Sequence, residues 1–72
     1  MYEFYTRYSD NAKPNLLKSF DSMTDVDVID NEKKIFKIKN KHWQFIESQQ
    51  VLNEFAGHGG FTIKILVKEI IN

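Results

Sequence analysis

Apolar and polar residues alternate most strictly near the end of the chain, where Phe61, Ile63, Ile65 and Val67 interleave with Thr62, Lys64, Leu66 and Lys68. A period of two sends successive side chains to opposite faces, so 61–71 predicts a strand. Residues 1–9 predict another, with Tyr2, Phe4 and Tyr8 on one face and Glu3, Tyr5 and Arg7 on the other. Their aromatic content supports an extended backbone. Asp10 and Asn11 mark a turn. Pro14 then suits the first turn of a helix, and Leu16, Leu17, Phe20 and Met23 follow at helical spacing.

Between 21 and 41 the pattern is carried by charge. Asp21, Asp25, Asp27, Asp30 and Glu32 precede Lys33, Lys34, Lys37, Lys39 and Lys41, with Val26, Val28, Ile29, Ile35, Phe36 and Ile38 interleaved. Two strands of opposite charge, folded as a hairpin, account for both regularities. Pairs whose numbers sum to 64 set Asp25 against Lys39 and Asp27 against Lys37, and Val26 against Ile38 and Val28 against Phe36. A shift of two would oppose Val28 to Lys34, so the charges select this register, although each exposed pair is worth only about 0.2 to 1 kcal/mol. Asn31, Glu32 and Lys33 form the loop, without the glycine preferred at its left-handed position.

Residues 42–57 show neither period cleanly. Phe45, Val51, Leu52, Phe55 and Ala56 cluster on a helical wheel, while Trp43 and Ile46 point elsewhere. One reading caps a long helix at Asn40 and stops it at Gly57. The other makes 42–46 a strand, hairpinned at Asn40 and Lys41 and opposing Ile38 to Trp43 and Phe36 to Phe45, with a shorter helix capped by Ser48. Both end a helix near Ala56.

The first reading gives the order β-α-β-β-α-β, a single α+β domain over 1–72 in which two helices cover one face of a four-stranded antiparallel sheet, the ferredoxin-like arrangement. The second gives a five-stranded meander with 42–46 as an extra strand. In the ferredoxin-like arrangement the uncovered face presents Tyr5, Arg7, Lys37, Lys39, Lys64 and Lys68, with Glu3, Asp25 and Asp27 as acidic counterweights.

Composition narrows the classes. A chain of 72 residues buries only about 60 per cent of the surface that its unfolded form exposes, so its core is small. It has no cysteine, hence no disulfide or thiolate metal site, which fits a reducing, cytoplasmic setting. Residues 1–10 hold no apolar core of a secretion signal, and no apolar run approaches the roughly 18 residues that span a bilayer. Zero formal charge and a pI near 6.7 lack the overall basicity of many nucleic-acid binders, yet permit a basic face. Abundant Lys, Ile, Asn and Phe fit an AT-rich genome, and phage and mobile elements supply many such small proteins.

No catalytic constellation emerges. Gly57, His58, Gly59 and Gly60 follow an expected helix and enter a strand, the reverse of a phosphate-binding loop, and no G-x-S-x-G elbow exists. Asp25-Val-Asp-Val superficially matches an aspartyl phosphotransferase motif without the large α/β domain that chemistry needs. As a calcium loop the same acids fail, because Asp30 stands where Gly is required and Phe36 where the bidentate Glu belongs. His42 and His58 match no metal-ligand spacing, and no serine has a local base signature. The expectation is therefore no enzyme, no cofactor and no metal.

What remains is binding. Trp43, beside Lys41 and His42, is either core filler or a stacking anchor. The RNA-binding signature of four-stranded sheets is absent, since Lys34-Ile-Phe-Lys-Ile-Lys39 has no Gly and one aromatic. The reading is a small non-catalytic protein that binds or inhibits a macromolecular protein partner through Tyr5, Arg7, Lys37, Lys39, Lys41, His42, Trp43 and Lys64. The alternative is a nucleic-acid module using the basic face. A homodimer is expected through Val67, Ile70 and Ile71, where the last strand outruns its partners.

Overall fold

The computed structural model describes residues 1–53 and 60–71. They form six strands: β1 (Tyr2–Thr6), β2 (Asn15–Phe20), β3 (Asp27–Asp30), β4 (Ile35–Ile38), β5 (Lys41–Asn53) and β6 (Gly60–Glu69). One turn of 3-10 helix, Met23–Asp25, lies between β2 and β3, and the described residues contain no α-helix. The strands make one sheet in the order β2-β1-β6-β5-β4-β3, antiparallel throughout except for the β1–β6 pair.

The sheet is curled into a half-barrel. On a flat sheet β1 and β4, separated by β6 and β5, would stand about 14 Å apart at the usual strand spacing. Instead the Phe4 and Phe36 rings meet edge to face with centroids 5.3 Å apart. Phe20 packs against the other side of Phe4 at 5.6 Å. Around them Val26, Ile38, Trp43, Ile65 and Val67 fill the concave face, with Leu17, Met23 and Phe45 partly buried against it. The core is thus a line of aromatic and branched side chains enclosed by the sheet's own curvature, with no second layer among the described residues.

Chain direction sets the path between the two edge strands. Following the pairings around the sheet, β2 and β3 run the same way, so their connection must return along the molecule instead of turning tightly. The 3-10 turn makes that return. Ser22 caps it through Oγ, which accepts from Thr24 N at 3.2 Å, and Met23 and Val26 drop from it into the concave face. They close with side chains what backbone pairing does not.

The two-helix ferredoxin-like arrangement is therefore overturned, and so is the meander with a shorter second helix. Residues expected as the first helix form β2, because β1 offers an edge on which Asn15–Phe20 pairs and a bulge at Leu17 lets that side chain reach the core. Residues 41–53, read as helix in whole or in part, form the longest strand. Its period is broken by a bulge at Ile46: Trp43 and Phe45 face inward before it, and Ser48, Gln50 and Leu52, paired with Ile65, Ile63 and Phe61, after it. An extra residue reverses the parity, so neither a helical stripe nor a clean alternation survives. The expected helix end at Ala56 and the stop at Gly57 lie outside the described residues.

The charged hairpin forms as β3 and β4, with Asp27 opposite Lys37 and Val28 opposite Phe36 as expected. Asp25 does not face Lys39, because it belongs to the 3-10 turn. Near the loop a bulge at Ile29 shifts the register, and Asp30 Oδ1 accepts from the Glu32 and Lys33 amides, both at 3.0 Å. Lys34 takes the left-handed conformation, φ 55°. The next hairpin turns through Lys39 and Asn40, φ 54° and 63°, a two-residue loop with the positive angles of a type I′ turn. It opposes Phe36 to Trp43, not to Phe45.

The last strand does not overhang at an edge. It lies inside the sheet between β1 and β5, Val67 is 1% exposed, and Ile70 N donates to His42 O at 2.9 Å. Val67 is therefore unavailable for the expected dimer contact, because β5 is long enough to pair β6 from Gly60 to Glu69.

Candidate cleft on the convex face

Facing residues of adjacent strands share a side of the sheet, so the register assigns each side chain a face. Glu3 and Tyr5 of β1, Lys64 and Leu66 of β6, and Glu47 and Gln49 of β5 point to the convex side. Curvature spreads convex side chains apart, yet here the β5 bulge and the chain leaving β1 leave a cleft of about 650 Å³. Its walls include Tyr5, Arg7, Lys13, Glu47, Gln49 and Lys64. Three cationic side chains thus share the cleft with one carboxylate.

Tyr5 organises one wall. Its hydroxyl donates to Glu3 Oε1 at 3.0 Å, and Lys64 Nζ stands 5.7 Å from its ring centroid. Partial burial, then the hydrogen bond and charge of Glu3, raise the phenol pKa above its ordinary value. The group therefore stays neutral through the physiological range and acts as a fixed donor. The ammonium on its ring face gains a cation–π contribution of about 0.5 to 1 kcal/mol at such an exposed site.

The residues expected to bind together divide into three groups. Tyr5, Arg7 and Lys64 meet in the cleft. Lys37, Lys39, Lys41 and His42 gather at the β4–β5 turn, where Lys37 faces His42 and Lys41 lies 3.7 Å from Glu69. Trp43 leaves the surface: it is 5% exposed and donates from Nε1 to Ile38 O at 3.0 Å. Its indole closes the core at the β4–β5 end, with its polar atom satisfied by the neighbouring strand.

Lys13, Glu47 and Gln49 of the cleft escaped the sequence reading. Lys13 precedes the helix expected from Pro14, and Glu47 and Gln49 fall inside the longer of the two helices expected for 42–57, so none of the three is assigned to a sheet face by the sequence. A signal existed in 47–50, Glu-Ser-Gln-Gln, a polar run between Ile46 and Val51.

No three His, Cys, Asp or Glu side chains among the described residues stand close enough together to hold an ion. No helix of the described residues is long and apolar enough to cross a membrane. The chain matches no protein-family model, no curated protein and no solved structure.

Proposed function

We propose that this chain is a small, non-catalytic cytoplasmic binding protein that docks on a protein partner by seating an acidic segment of it in the convex cleft. The carrying observation is the convergence of Arg7, Lys13 and Lys64 around Tyr5. A cationic cleft on a molecule of zero formal charge concentrates its attraction at one place, which raises the encounter rate with a complementary patch. Arg7 is suited to a carboxylate because its planar fork can donate two parallel hydrogen bonds. The lack of cysteine fits a reducing compartment.

Nucleic acid is the weaker reading. Binding of single strands draws on free aromatic faces as well as cations. In the cleft the aromatic is Tyr5, whose ring face carries Lys64 and whose hydroxyl is held by Glu3.

Calorimetric titration with a peptide rich in Asp and Glu, and separately with a single-stranded oligonucleotide, tests the proposal. The peptide is expected to bind more tightly, and Arg7→Glu with Lys64→Glu to weaken it by at least about tenfold, equal to 1.4 kcal/mol. Tighter binding of the oligonucleotide, with a steep salt dependence from counterion release, would transfer the cleft to nucleic acid. Peptide affinity unchanged by the double reversal would remove the cleft from the function altogether.

A further inference from the structure

Among the described residues, the open edges of the sheet are not equally protected. The outer edge of β2 follows Pro14 and carries exposed Lys18, while β3 is four residues long with exposed Asp27. Short length, charge and proline are the usual guards against edge-to-edge pairing. The third stretch is on β5. β4 pairs with it only from Lys41 to Gln44, followed by one amide contact, Phe45 N to Lys34 O. From Glu47 to Asn53 β6 is its only pairing partner among the described residues. Beyond Glu47 this stretch, Ser-Gln-Gln-Val-Leu-Asn, has no charge and no proline. In an antiparallel ladder every second residue turns its N–H and C=O away from the paired neighbour, so these groups point outward along the open side.

We propose that this edge pairs with the same edge of a second copy of the chain, antiparallel about a two-fold axis at Gln50. Three observations select a second copy. First, a continuous antiparallel sheet places residues of the same face opposite each other, and the axis at Gln50 overlaps the whole open stretch: Gln50 meets Gln50, Gln49 meets Val51, and Ser48 meets Leu52. No charge opposes a like charge within 48–52, whereas self-pairing about the centre of β3 would bring Asp27 against Asp30. Second, Leu52 and its cross-strand neighbour Phe61 are 55% and 51% exposed on the concave side. Third, an open concave cavity of about 290 Å³, lined by Met23, Phe36, Phe45 and Ile63, has Ser48 at its wall. Opposite Ser48 the partner brings its Leu52. Each protomer thereby offers an apolar side chain to a space the other leaves unfilled, the reciprocal contact that a two-fold interface requires.

Sedimentation equilibrium on the whole chain and two charge variants tests this. The wild type is expected to be a dimer at tens of micromolar. Gln50→Lys and Gln50→Glu each set like charges together across the axis and are expected to weaken the dimer roughly tenfold or more. An equal mixture of the two variants should recover the dimer mass, which mere loss of folding cannot produce; far-ultraviolet circular dichroism confirms that each variant is folded. Leu52→Asp should weaken the dimer by a separate route. A wild-type monomer throughout the micromolar range would overturn the proposal, as would a dimer that neither charge at Gln50 weakens. The readout is mass, so it is independent of any ligand in the convex cleft.

Discussion

Phe4 has no measurable exposure and touches rings from two other strands, Phe20 and Phe36. Phe4→Ala is expected to cost about 3 to 5 kcal/mol, against a total of roughly 4 to 11 for a chain of this length. Urea denaturation should show the midpoint collapse; a loss below 1 kcal/mol would mean that the curl does not depend on this ring. Tyr5 gives a pH test. Its phenol is raised by burial and by Glu3, so the folded state holds the proton more tightly than the unfolded chain. That contribution is fully present below the ordinary phenol value near 10 and is lost as pH rises through the folded value. Tyr5→Phe should therefore remove part of the alkaline fall in stability while leaving the neutral-pH fold intact, as thermal melts across the alkaline range would report. Alternation in the sequence set Phe4 and Tyr5 on opposite faces and marked Tyr5 as a binding candidate, but Tyr5 as cleft wall depended on which strands flank it.

At the scale of elements, the β4–β5 turn holds Lys39 and Asn40 at positive φ without a glycine. Left-handed backbone costs a non-glycine residue such as Lys about 1 to 2 kcal/mol, and Asn less. Lys39→Asn with Asn40→Gly is expected to stabilise the protein by about 1 kcal/mol, read as a rise in melting temperature. No change would mean that the turn is not of this type. In the preceding hairpin the charge pattern chose the register correctly for Asp27 with Lys37 and Val28 with Phe36, because opposed like charges or buried lysines exclude the alternatives. A double-mutant cycle using Asp27→Lys and Lys37→Glu should give a favourable coupling of about 0.2 to 1 kcal/mol. Strict additivity would show that the two charges do not interact. The bulged elements were illegible for the same kind of reason. One extra residue at Ile46 inverts the inward set of β5, so periodicity, which assumes a regular ladder, loses its phase.

Over the whole molecule, the decisive pairing joins the first strand to the last: Tyr2 to Tyr5 lie parallel to Ile63 to Leu66, and Ile63 N donates to Met1 O at 2.9 Å. Such distant contacts must close a long loop before they repay its entropy, so folding is expected on the millisecond-to-second scale of high-contact-order sheets. Stopped-flow fluorescence of Trp43, which is buried on folding, will report it. Microsecond folding would contradict the topology.

The order of residues by itself determined that strands run within 1–9, 26–38 and 61–71, though the first ends at Thr6 and the last at Glu69, which side chains there are apolar, and the charge register of one hairpin at Asp27 with Lys37. Those properties are local: they depend on alternation and on neighbours a few residues away. Tertiary structure alone decided that 15–20 is a strand, that the strand reading of 42–46 prevails and extends to Asn53, that the sheet curls on itself, and that Arg7, Lys13 and Lys64 share a cleft while Trp43 does not reach the surface. The physical reason is that a strand, unlike a helix, satisfies its backbone hydrogen bonds on other segments. Whether an ambiguous stretch becomes one depends on which edges the rest of the chain offers it.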